Sequence, residues 1–232
     1  MMLNQIKEDL QNLANPEKAK VLSRYFKTGK GEYSEGDVFL GISVPEQRKV
    51  AKNFKDTGFD DLRRLLQSKI HEYRFTALEI LNFKYDGADN IRKKEIVDFC
   101  LKNINRINNW DLVDTFAPYV FGDFLNGKNK KVLYRLATSE TIWERRIAII
   151  STFAFIKNNL FEDSFKIAEI LLNDKHDLIH KAVGWMLREI GKKDRNAEEE
   201  FLKKHYKKMP RTMLRYAIER FSEDKKRVYM TK

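Results

Sequence analysis

Between its glycines and prolines this chain places apolar residues at i, i+3, i+4 and i+7, without strict alternation, and that spacing predicts helix almost throughout. Only 10 glycines and 4 prolines punctuate the 232 residues. The pattern predicts helices over 3–14, 17–27, 45–55, 59–68, 71–83, 90–105, 110–125, 130–138, 141–157, 162–172, 177–191, 196–208 and 211–222, most of them in pairs. The exception is KTGKGEYSEGDVFLGISVP (27–45), where three glycines among polar residues precede a short apolar run. A loop or a small β-hairpin near 28–42 is expected there.

One kind of helix recurs. YRFTALEIL (73–81), VDTFAPYVF (113–121), RRIAIISTF (145–153), HKAVGWMLR (180–188) and LRYAIERF (214–221) each set a charged residue close to an alanine inside an apolar stripe. Ala77, Ala117, Ala148, Ala182 and Ala217 are spaced 40, 31, 34 and 35 residues apart. A mean period of about 35 belongs to stacked helical hairpins of the HEAT or TPR kind. With no linker interrupting the array, residues 1–232 read as one all-α domain, an α-α superhelix of HEAT-like repeats. Stacking in register would bring Arg74, Asp114, Arg146, Lys181 and Arg215 to one concave face, and four of these five are cations.

Charge sharpens this picture. Lys and Arg number 45 against 34 Asp and Glu, a net +11, and residues 192–232 alone supply +7 from 14 basic and 7 acidic side chains. A surplus so concentrated suits a polyanion, since each phosphate neutralised releases condensed counterions. A soluble basic surface would account for the charge equally well. Hydrophobic residues make up 42% and aromatics 12% of the chain, ample for a core. The single cysteine, Cys100, excludes an internal disulfide and fits a reducing compartment, so a cytoplasmic protein is expected. The opening MMLNQIKEDLQNLA lacks the apolar core of a secretion signal, and runs such as 147–156 are too short to span a bilayer. No metal-ligand, P-loop, GxGxxG or GxSxG pattern occurs. We therefore expect a monomer with no metal, no nucleotide cofactor and no membrane partner.

Three segments place polar groups among apolar ones in a related way: NNWDLVDTFAPYVFGDF (108–124), TIWERRIAIISTFAFIK (141–157) and IHKAVGWMLREIGK (179–192). In the first, Trp110 and Asp114 are four apart and share one helix face, a carboxylate beside an aromatic plate. Alone, the motif is better explained by a packed indole and by Asp111 or Asp114 capping the helix or sitting on its surface. Taken in order, WDxVD, WxxRxAI and KAxGWxLRE, preceded by FLGIxxPExR (FLGISVPEQR, 39–48), resemble the AlkD-like DNA glycosylases of the DNA alkylation repair family, from about residue 21 to 191. The resemblance implies HEAT-like repeats that cradle duplex DNA on a concave basic face and remove cationic N3- and N7-alkylpurines. Position by position, it puts the catalytic carboxylate on Asp114, the two lesion-facing tryptophans on Trp110 and Trp185, and a phosphate-binding arginine on Arg146. Tyr25 takes the place of a DNA-contacting tyrosine, and Ser43 stands where some members carry a polar amide.

Those residue types suit the reaction. An N3- or N7-alkylpurine is already a cationic leaving group, so the base needs no protonation, and an anion near the developing sugar cation favours the transition state over the ground state. Indole faces attract cations. Arg146 would hold a phosphate with a planar fork, while Lys181, Arg74 and Arg215 are further candidate phosphate contacts. Trp143, Phe153 and Phe155 read as helix packing, Cys100 as a buried small hydrophobe, the histidines as surface or supporting groups, and Arg188 as structural. Lys225-Lys226-Arg227 reads as a frayed end or an added DNA contact. Two other functions compete with glycosylase activity: a non-catalytic solenoid that recognises branched or distorted DNA, its glycine-rich hairpin probing a groove, and a protein-binding HEAT scaffold.

Overall fold

A computed structural model describes residues 2–231, and the chain divides after Phe116 into two compact units. The first contains α1 (Met2–Asn12), α2 (Pro16–Tyr25), α3 (Val44–Asn53), α4 (Phe59–Leu66), α5 (His71–Asp86), α6 (Asn90–Lys102) and α7 (Trp110–Phe116). The second begins with a π-helical turn, Pro118–Gly122, followed by α8 (Asp123–Leu125), α9 (Lys131–Ala137), α10 (Ile142–Ser151), α11 (Phe153–Lys157) and α12 (Glu162–Ile170). It ends with α13 (Asp177–Lys193), α14 (Arg195–His205), α15 (Arg211–Ala217) and α16 (Glu223–Met230).

In the first unit α5 is the organising element, packed against α3, α4, α6 and α7. Every residue from His71 to Leu81 is buried, so this helix has no solvent face through three turns. A helix buried on all sides is normally apolar throughout. Here the buried run includes His71, Glu72, Arg74 and Glu79, and each demands a partner.

Of the two expectations for 28–42, a loop forms and the small β-hairpin does not. Residues 27–36 are mostly turns and 37–43 are irregular, and the only extended pairing among the described residues is an isolated parallel bridge, Val38 to Ile70. Polar side chains of the core stand in for a second strand: the Glu72 carboxylate accepts from the backbone N–H groups of Leu40 at 2.9 Å and Gly41 at 2.8 Å. Gly41 has φ +85, and a Cβ there would lie 2.1 Å from the Asn15 carbonyl oxygen, so α2 can approach the loop only at a glycine. The FLGIxxPExR signature is thus an anchoring device. It continues into α3 through a capping box, with Glu46 accepting from both the N–H and the hydroxyl of Ser43, and through an Arg48–Glu79 ion pair at 2.9 Å.

In the second unit α13 packs against α10, α11, α14 and α15. The closest approach is to α15: a Cβ on Gly184 would stand 2.4 Å from the Met213 carbonyl oxygen and 2.5 Å from the Tyr216 Cβ. The five repeat alanines, Ala77, Ala117, Ala148, Ala182 and Ala217, are all fully buried, as an apolar stripe requires. Trp143 and Phe155 are buried in packing and Cys100 is buried, in line with their sequence pattern. The basic tail is not frayed: Ser222 caps α16, its hydroxyl accepting from the Lys225 N–H, and Tyr229 is buried.

Gly184→Ala should lower the unfolding free energy by about 1–3 kcal/mol in urea denaturation, because overpacking against a backbone carbonyl outweighs alanine's gain in helix propensity of roughly 1 kcal/mol. Gly87→Ala, where a Cβ meets nothing within 4 Å, should leave the midpoint nearly unchanged.

Candidate functional site

Within the first unit, the start of α7 is held from three directions. The Asn109 amide donates to the Ser34 hydroxyl at 2.7 Å, and its own Oδ1 accepts the Trp110 N–H at 2.8 Å. Asp111 is bound at both oxygens, one by the Leu112 N–H at 2.8 Å and one by His71 Nε2 at 2.7 Å. Trp110 stacks on Phe26, with centroids 5.1 Å apart and planes 10° from parallel. Phe26 stacks in turn on Phe39 at 4.9 Å, and Phe39 on the His71 imidazole at 4.6 Å. Tyr25 meets the edge of Trp110 at 6.0 Å. The series leaves Trp110 half-buried and Tyr25 63% exposed, so its outer end is an open aromatic surface.

His71 sits at the other end of that series, inside a buried ionic cluster. Arg74 Nη2 donates to Asp37 Oδ2 at 2.6 Å and Nη1 to the Ser68 carbonyl at 2.9 Å, while His71 Nδ1 lies 3.5 Å from the same Asp37 oxygen. Burial alone would depress the imidazole. The Asp111 charge and hydrogen bond, with help from Asp37, overcome it and raise the His71 pKa to about 9. Asp37 moves the other way: burial would raise its carboxyl, but the His71 hydrogen bond and the Arg74 charge hold it below its ordinary value. His71 is therefore an imidazolium at neutral pH, between two carboxylates.

Each residue expected from sequence can now be placed. Trp110 and Asp114 lie one turn apart on α7, both half-buried. Tyr25 ends α2 in edge contact with Trp110. Ser43 is engaged in the α3 capping box, a structural duty. Arg74 requires correction: it has no exposed surface and is paired with Asp37, so it contacts no phosphate. In the second unit Arg146 is only 5% exposed, and its Nη1 donates to the Leu178 carbonyl at 2.6 Å. It braces the first turn of α13 instead of extending a fork to solvent. Its neighbour Arg145 is likewise committed, to Asp174 at 2.6 Å and the Ser139 carbonyl at 2.7 Å.

On α13, Lys181 is half-buried and pairs with Asp177 at 2.8 Å. Trp185 is half-buried, its Nε1 donating to Glu189 at 3.0 Å, and Lys192 reaches the same carboxylate oxygen at 2.6 Å. Phe153 lies 6.3 Å from the Trp185 ring, and Lys157 Nζ stands over the Phe153 ring at 4.9 Å and the Tyr119 ring at 5.5 Å. Arg215 is exposed on α15. Among the described residues no three His, Cys, Asp or Glu side chains gather in a metal-binding arrangement, and no helix is long and apolar enough to cross a membrane.

Sequence reasoning missed Asp37 and Phe26 and did not single out His71. It treated the histidines as surface or supporting groups, and the loop aspartate drew no attention. The one available signal was the density of ionisable residues in HEYRFTALE (71–79), excessive for a helix with so much apolar content.

A model of the DNA alkylation repair enzyme family matches residues 6–221. Among solved structures, a predicted DNA alkylation repair enzyme from Enterococcus faecalis superposes with a TM-score of 0.69 at 20% identity, over 90% of this chain and 97% of that one. AlkD2 from Streptococcus mutans gives 0.54 at 20% identity, over 89% and 99%, and smu.31 from Streptococcus mutans UA159 gives 0.51 at 20%, over 86% and 96%. No protein of curated function matches significantly. The fold is all-α, of HEAT-like helical repeats.

The His71 cluster makes stability depend on pH. A histidine whose folded pKa is raised stabilises fully below its unfolded value near 6.5, and that contribution disappears as pH rises through about 9. The buried Glu198 carboxyl, raised to about 8 chiefly by desolvation, adds a decline of the same sign over a lower range. Wild-type unfolding free energy should therefore fall between pH 6.5 and 9. His71→Gln should be less stable at pH 6.5 by roughly 3 kcal/mol and should show a shallower fall across that window, read from urea titrations at each pH.

Proposed function

Because the chain belongs to the DNA alkylation repair enzyme family, we propose that it hydrolyses the N-glycosidic bond of cationic N3- and N7-alkylpurines in duplex DNA, as a monofunctional glycosylase. The observation that carries this reading is the pair on α7: the Asp114 carboxylate lies one turn beyond Trp110, on a helix start fixed by Asn109, Asp111 and the Phe26 stack. A site for an oxocarbenium-like transition state needs an anion and a cation-tolerant face held in place before the substrate arrives. Family membership supplies the substrate, DNA, and the net charge of +11 agrees with it.

In this mechanism the alkylated purine leaves as a neutral base, taking the electrons of the C1′–N bond. The sugar cation that forms is stabilised by Asp114, and the same carboxylate orients the attacking water and takes up its proton. General-base help of this kind is worth about 100- to 10,000-fold. Trp110 faces the cationic lesion or sugar, an interaction of roughly 0.5–2 kcal/mol. Trp185 is assigned the same kind of contact. Tyr25, Lys181 and Arg215 are assigned to the DNA backbone, with Arg146 acting through the α13 turn that it braces. No lysine nucleophile is invoked, so the product is an abasic site and an unbroken strand.

Incubation with duplex DNA containing 7-methylguanine or 3-methyladenine should release free base. Asp114→Asn should reduce the single-turnover rate by about 100-fold or more while DNA affinity is retained. Equal release by both proteins would remove Asp114 from the chemistry, and binding without release by the wild type would leave only a DNA-binding role. Arg215→Ala should flatten the dependence of log affinity on log salt by roughly 0.9, and an unchanged slope would remove it from the phosphate contacts.

A further inference from the structure

We infer that His71 is the positioning residue of the candidate site: from inside the first unit it fixes Trp110 and the start of α7, through Asp111 on one side and through Phe39 and Phe26 on the other. The inference rests on the glycosylase reading for its effect on rate, but not for the coupling itself.

Two independent routes join the imidazole to the same short helix. The polar route is direct, His71 Nε2 to Asp111 Oδ2 at 2.7 Å, and Asp111 is the residue after Trp110. The aromatic route passes through faces: His71 on Phe39 at 4.6 Å and 22°, Phe39 on Phe26 at 4.9 Å and 23°, Phe26 on Trp110 at 5.1 Å and 10°. A cation resting on the face of Phe39 strengthens this series in a way that a neutral ring cannot. His71 itself is 2% exposed, which rules out contact with substrate and leaves action through its neighbours.

The charged groups around the ring come from three elements. Asp37 approaches from the glycine-rich segment, Asp111 from α7, and Arg74 from the next turn of α5, with its Nη2 3.4 Å from His71 Nδ1. Arg106 lies beyond Arg74, held by the Leu66, Gln67 and Ser68 carbonyls. Two carboxylates face one imidazole and one nearby guanidinium. Protonated, His71 can donate to both carboxylates at once; neutral, it can donate to only one and must release the other. Loss of that proton therefore loosens either the Asp37 side, which holds the loop carrying Phe39, or the Asp111 side, which holds α7. Both movements reach Trp110. The glycine-rich segment is thereby a part of the site's framework, tied to α5 by Asp37 and to α7 by the Ser34–Asn109 hydrogen bond.

The test compares wild type, His71→Gln and Asp111→Asn at pH 6.5, after circular dichroism has verified that each variant is folded. Single-turnover release of 7-methylguanine should fall roughly 10- to 100-fold in both variants, with DNA affinity within about 2-fold of wild type, as expected for a misplaced rather than a missing contact. The wild-type rate should decline above pH 9, and that basic limb should be absent from His71→Gln. In parallel, the Trp110 indole N–H resonance, assigned with Trp110→Phe, is followed by nitrogen-15 NMR from pH 6 to 10. It should shift with a midpoint near 9 in the wild type and stay flat in His71→Gln. Wild-type rates in His71→Gln, or an indole resonance that does not titrate in the wild type, overturn the inference. If the wild type releases no base at all, the glycosylase reading fails, and the indole titration alone decides whether His71 positions Trp110.

Discussion

The first unit is organised around one demand: α5 is buried on every side through His71–Leu81, yet four acidic or basic side chains lie in that stretch. A buried charge left unpaired costs several kcal/mol, more than a domain of ordinary stability can absorb many times over. Each of the four is satisfied by a different neighbour. Glu79 takes Arg48 from α3, Glu72 takes backbone N–H groups of Leu40 and Gly41, Arg74 takes Asp37, and His71 takes Asp111 from α7. The helix thus dictates where α3, the glycine-rich segment and α7 must sit. A replacement by well-packed apolar residues would often be as stable, but it would not specify one arrangement of three partners.

Specification is what the candidate site requires. Trp110 and Asp114 belong to the first two turns of α7, and the placement of that helix start comes from tertiary contacts. Those contacts are polar at Asn109 and Asp111 and aromatic at Trp110. In the second unit the same division of labour recurs in α13. Gly184 allows close contact with α15, Arg146 holds the first turn through the Leu178 carbonyl, and Glu189 fixes the Trp185 ring. Two of the five charged residues beside the repeat alanines, Arg74 and Arg146, are therefore framework.

This explains what could be read in the sequence and what could not. Helical periodicity placed nearly every helix within a few residues, and the repeat alanines proved uniformly buried, because both depend on local spacing that a single chain records. The glycine-rich segment could be read as a loop or a hairpin but not decided between them, because its backbone groups are satisfied by Glu72, a side chain 31 residues from Gly41. Arg74 and Arg146 misled for a related reason. An arginine beside an alanine in an apolar stripe looks the same whether it points to solvent or into a neighbouring helix, and only the position of Asp37 or Leu178 decides it. His71 left a faint trace in the crowding of ionisable groups over 71–79. Its partners, Asp37 and Asp111, come from 34 and 40 residues away and carry no local mark.

The same geometry separates the two carboxylates of WDxVD, of which the resemblance singled out Asp114. Asp111 has both oxygens engaged, one on the Leu112 N–H and one on His71, and its partner there is a buried cation that offsets its charge. An aspartate so neutralised is poorly suited to stabilising a sugar cation, since its field is already opposed at 2.7 Å. Asp114, one turn further along α7, is the carboxylate to which the proposed chemistry is assigned. The division has a physical advantage: a carboxylate that binds structure and a carboxylate that meets substrate have opposite electrostatic needs, the first a close permanent counter-ion, the second a cation that develops only in the transition state. With the two three residues apart on α7, the engagement of Asp111 by His71 anchors the helix turn on which the proposed reading places the second.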